Sequence, residues 1–68
     1  MKLITYQALL SHPASVAQVQ AHKRDLERLG AWVSLAPPTK MGMVLVILEL
    51  PEAYTPDQFF PGMPFYPA

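Results

Sequence analysis

Residues 43–50, MVLVILEL, decide the fold. The run is dense in valine, isoleucine and leucine and ends at Pro51, so it reads as a strand. Side chains alternate across a strand. Val44, Val46, Leu48 and Leu50 therefore share one face, and Met43, Leu45 and Ile47 share the other. Glu49, the only charge in the run, falls with the second set. A strand that is apolar on both sides is one that expects cover on both sides.

Upstream of this strand, "PPTKMG" at 37–42 is a turn, and its two prolines argue against a tight two-residue hairpin. "AWVSLA" at 31–36 reads as another strand. "KLITYQALL" at 2–10 is a third, with Ile4, Tyr6, Ala8 and Leu10 on one face and Leu3, Thr5, Gln7 and Leu9 on the other. "SHP" at 11–13 breaks it. Ser15 with Gln18 forms a capping-box pattern, which predicts a helix from near Val16 to about Leu29, closed by Gly30 in a left-handed C-cap. Val16, Val19, Leu26 and Leu29 lie on one helical stripe, with His22 inside it.

Downstream, "PEAYTPDQFF" at 51–60 is a loop with one turn of helix, which Thr55 can cap and Pro56 can start. "MPFYPA" at 63–68 is extended and suits a short edge strand. The order is strand, helix, strand, strand, short helix, strand. This is a ferredoxin-like α+β pattern with an antiparallel sheet and one main helix. One helix and one short turn cover only one face of the sheet. The simplest cover for the other face is a second copy of the same sheet, which gives a dimeric α/β barrel.

Composition agrees with a partner. The chain has 68 residues and reads as one domain, 1–68. A core of this size is marginal without a disulfide, a metal or another subunit. There is no cysteine, and two histidines do not make a closed zinc site. Hydrophobic residues make up 51% and charged residues 15%, which points to apolar surface buried between chains. The expectation is a homodimer or larger homo-oligomer. Net charge is zero, and Lys23, Arg24 and Arg28 are mixed with Asp25 and Glu27, so no basic face for nucleic acid is expected. No apolar run is long enough for a membrane span and the N-terminus lacks a signal-peptide core, so a cytoplasmic protein is expected.

Two stretches carry a family resemblance. "DLERLGAW" at 25–32 is similar to Glu-Leu-(x)-Arg-(x)-Gly-(x)-Trp, matching at Gly30 and Trp32. "FFPGMPFYPA" at 59–68 is similar to Leu-Leu-(x)-Gly-Leu-Pro-Leu-Phe-Pro, with Gly62, Pro64, Tyr66 and Pro67 in register. Residues 43–50 sit between them where the central strand is wanted. From Asp25 onward the chain thus resembles the muconolactone isomerase family of small dimeric α/β-barrel proteins. The resemblance implies a cofactor-free isomerase that shifts a double bond in a small unsaturated lactone or acid. It also implies that Phe59, Phe60, Phe65 and Tyr66 close the barrel edge and contact neighbouring subunits. Lys40 stands nearest to the basic residue that the family carries at the entry to its central strand.

Such chemistry needs a group that takes a proton from carbon beside a carbonyl and returns it further along. His22, an imidazole on the helix stripe, and Glu49, a carboxylate in the central strand, are the candidate catalytic residues. Tyr6, Trp32 and Lys40 are candidates for the substrate pocket. Each has a plainer reading as a core, packing or solvated residue, and His12 reads as a turn residue. No metal cluster, phosphate loop or nucleophile–base motif is present. A second resemblance gives a rival from another class. Ser15–Ser34, followed by an apolar strand, also looks like the small ferredoxin-like chaperones of nitrate reductase, which predicts a monomer that binds a peptide on an open sheet. The same fold would equally serve a protein that binds a small apolar ligand without turning it over.

Overall fold

The computed structural model describes residues 2–68. The chain runs β1 (Leu3–Leu10), α1 (Pro13–Arg28), β2 (Trp32–Leu35), β3 (Val44–Pro51), a 3-10 turn (Pro56–Gln58) and β4 (Tyr66–Pro67). All strand pairs are antiparallel, and the sheet order is β2-β3-β1-β4. This small α+β architecture is compatible with a ferredoxin-like fold. β1 and β3 form its centre and pair along their whole length, from Leu3 opposite Pro51 to Leu10 opposite Val44.

The β2–β3 connection explains how two prolines fit a hairpin. Ala36 N–H donates to Leu45 C=O at 2.9 Å, and Thr39 N–H to Met43 C=O at 2.8 Å, so the ladder continues past Pro37 and Pro38. β2 is an edge strand, where proline is tolerated. The chain reverses over Lys40, Met41 and Gly42, with Gly42 at φ 78°. That is a three-residue loop with glycine at the left-handed position.

α1 starts three residues earlier than the expected Val16. His12 is its extended N-cap and Pro13 its first residue. Proline suits this place because its missing N–H needs no partner there. His12 C=O accepts from Ser15 and Val16 N–H at 3.1 and 3.2 Å. Ser15 is inside the helix, so the anticipated Ser15–Gln18 capping box does not form. A capping box forms instead at the 3-10 turn, where Thr55 N–H donates to Gln58 Oε1 at 2.9 Å.

The C-terminus of α1 follows the expectation. Gly30 has φ 88°. Its N–H reaches Glu27 C=O and that of Ala31 reaches Leu26 C=O, both at 3.1 Å, which is a Schellman motif. A side chain at Gly30 would be forced into the left-handed region. Gly30→Ala is expected to cost about 1–2 kcal/mol. It would show as a lower urea midpoint with an unchanged slope.

Val19 and Leu26 bring the helix down on Ala8, Leu10, Val46, Leu48 and Leu50. Leu29, expected on the same stripe, is instead exposed, because the chain leaves the helix there. The second element of the core is Phe60, which is fully buried. Half-buried Tyr54, Phe59, Met63 and Phe65 pack around the same cluster. Residues 54–65 thus cover, with aromatic rings, the part of the sheet that α1 does not reach.

Candidate functional site

Strand register divides the candidate residues between the two faces of the sheet. Tyr6 pairs with buried Leu48, is half-buried and packs against the core, so it points to the helix side. His22 is on that side too, half-buried on α1. Its Nδ1 lies 2.9 Å from Gln18 C=O. A carbonyl only accepts, so Nδ1 carries the hydrogen and Nε2 is the basic atom. The imidazole meets Phe60 edge to face at 5.6 Å, and Phe60 meets Phe65 at 5.7 Å. His22 is thereby one member of an aromatic cluster that ties the 3-10 segment to the helix.

Glu49 occupies the opposite face. It alternates with buried Leu48 and Leu50, and it pairs with Thr5 on one side and Trp32 on the other. Cross-strand neighbours of this kind have Cβ atoms about 5 Å apart. Thr5, Glu49 and Trp32 therefore form one row. The next row is Ser34, Ile47, Gln7 and Tyr66. Leu45 and Leu9 form a third. The two expected catalytic residues, His22 and Glu49, are separated by the sheet and are not brought together within one chain. Tyr6 and Trp32 are likewise parted.

The open face is greasy. Leu9, Leu45, Trp32 and Tyr66 are all exposed, between 38% and 60%. Among the described residues they are four of the six exposed large hydrophobic side chains, the others being Leu29 and Met41. Exposed apolar residues scattered singly need no explanation, whereas a contiguous group marks an interaction surface. The second apolar face of β3 is thus real, and none of the described helices or turns packs over it. The polar residues of this face were not singled out from the sequence. Thr5, Gln7 and Ser34 become visible as neighbours of Glu49 and Trp32 only once the register between strands is known.

The remaining candidates separate cleanly. Lys40 is exposed at the tip of the β2–β3 turn, away from Glu49. Between Glu49 and Val44 alone there are five strand steps, or about 16 Å. Among the four aromatics expected at an interface, Tyr66 lies exposed on the open face. Phe59 and Phe65 are half-buried against the chain's own core. Phe60 is a correction: with no exposed surface it is a core residue and has nothing to offer a neighbour. His12 lines a surface hollow of about 250 Å³ with Pro13, Val16, Gly42 and Val44. None of the residues expected to bind a ligand reaches it.

Among the described residues, no group of three or more histidine, cysteine or acidic side chains could hold a metal ion. No described helix is long and apolar enough to cross a membrane. The fold and the site define a small α+β protein with one open, apolar sheet face on which Glu49 is the one acidic side chain among the described residues. No protein-family model, curated protein or solved structure matches the chain.

Proposed function

We propose that the chain works as a homodimer in which two sheets face each other, a dimeric α/β barrel of the muconolactone isomerase-like kind. The observation that carries this reading is the uncovered face of Leu9, Leu45, Trp32 and Tyr66. Facing sheets stand about 10 Å apart, and the polar rows around Glu49 would then line a chamber between them. In that chamber the protein would shift a double bond in a small unsaturated lactone or acid without a cofactor.

The chemistry falls to Glu49. Its carboxylate removes a proton from the carbon beside the lactone carbonyl, and the electron pair moves into an extended enolate. The hydroxyl groups of Thr5 and Ser34 and the amide of Gln7 are neutral donors that can hold the enolate oxygen. The same carboxyl group then returns the proton further along the conjugated system. Trp32 and Tyr66 supply apolar walls. His22 takes no part, because it lies across the sheet against Phe60.

Kinetics separates these roles. With an unsaturated lactone as substrate, Glu49→Gln is expected to lower kcat by about 10²–10⁴-fold. His22→Ala is expected to leave kcat within a few-fold and to lower thermal stability instead. The ultraviolet absorbance change on conjugation would follow both. Equal loss in the two variants would sink the assignment to Glu49.

One observation favours a second reading. β2 is paired on one side only, so its free edge, Trp32–Leu35, is open to strand addition. A peptide-binding monomer would use that edge and the adjoining open face. Light scattering over a dilution series decides between the two, since only the barrel requires twice the 7.6 kDa of one chain.

A further inference from the structure

We infer that the chamber takes an uncharged carbonyl compound and turns away carboxylates. This rests on the dimer reading above and narrows its substrate class from lactone or acid to neutral lactone.

The residues of the open face are Thr5, Gln7, Ser34, Tyr66 and Trp32 beside Glu49, with leucine and isoleucine between them. None is basic. The five lysine and arginine side chains lie elsewhere. Lys23, Arg24 and Arg28 are exposed on α1, Lys2 is exposed before β1, and Lys40 is at the turn tip. The one ion pair among the described residues joins Arg28 to Asp25 at 3.8 Å, so Glu49 has no cationic partner among them. Two-fold symmetry would place two Glu49 carboxylates in one chamber. An anionic ligand would meet both, without a counter-charge, in a setting where water is largely excluded and like charges repel most strongly. A neutral carbonyl meets no such penalty. It also finds hydrogen-bond donors in Thr5, Ser34, Gln7 and the indole N–H of Trp32.

Trp32 is the only tryptophan, so its emission reports on this face in the full-length protein. The probe is a matched pair: an α,β-unsaturated five-membered lactone bearing a carboxymethyl group, and its methyl ester. At neutral pH the ester is expected to change Trp32 emission saturably and to bind at least about tenfold tighter than the acid. Glu49→Gln is expected to close most of that gap. An acid that binds as tightly as the ester, or a protein shown by light scattering to be dimeric that binds neither, overturns the inference. A monomer that binds neither overturns the dimer reading itself, and the inference with it. The mass measurement tells these failures apart.

Discussion

Replacing Leu45 with lysine is expected to leave a folded monomer. Leu45 is on the open face of β3, 38% exposed, and pairs with exposed Leu9. It makes no part of the buried cluster between sheet and helix. Lysine at this position is solvated in a single chain and costs the fold little. In facing sheets it would put two ammonium groups into an apolar layer, where each loses hydration worth several kcal/mol. The dissociation constant of the proposed dimer is expected to rise by more than about a hundredfold, which corresponds to about 3 kcal/mol. Light scattering would show the mass falling from twice 7.6 kDa to that of one chain, with the circular dichroism spectrum preserved. Met41→Lys is the control. Met41 is 86% exposed at the turn, off the sheet face, and the same charge there should leave the mass unchanged. If both variants keep the wild-type mass, the face is not where the copies meet.

Phe60→Ala is expected to have the largest effect on stability. Phe60 is fully buried and is the largest side chain in that state. Its ring bridges His22 on α1 and Phe65 ahead of β4. Removing a buried phenylalanine ring costs about 3–5 kcal/mol, because the transfer free energy is lost and a cavity remains. A chain of 68 residues has a total stability on the order of 3–10 kcal/mol. The variant is therefore expected to be largely unfolded in a thermal or urea experiment that leaves the wild type folded. Phe65→Ala removes a half-buried ring from the same cluster and should cost less than half as much. Equal losses would mean that Phe60 is not the keystone of the 54–65 segment.

Most of the fold was legible because its signals are local. The alternation of residues 43–50, the strand formers of 2–10, the glycine after Leu29 and the Thr55–Pro56 pair each act over a few residues, and each produced the expected element. The start of α1 departs from the sequence expectation for a local reason too. Pro13 looks like a breaker in "SHP", yet the first position of a helix is where proline is least costly. Ser15 then lies inside the first turn, past the cap position that His12 takes.

The site was less legible. His22 has the right chemistry and a helical stripe position, and Glu49 has the right chemistry and a strand position. Alternation alone assigns Glu49 to the face of Leu45 and Ile47. It does not say which face the helix covers, so it does not show that His22 is on the other side. Phe60 stood out as an aromatic in a proline-rich stretch, and such rings serve interfaces and cores equally well. Only the path of residues 54–65 across the sheet put this one inside.

The sequence by itself determined the elements, the α+β class, the two-faced character of β3 and the residues with acid–base chemistry. These depend on backbone preference and side-chain periodicity within single segments. The tertiary structure decided which face α1 covers, which residues become neighbours of Glu49, and that Phe60 is core. Those outcomes depend on register between strands and on where distant segments of the chain are laid down, and no short window of residues encodes them.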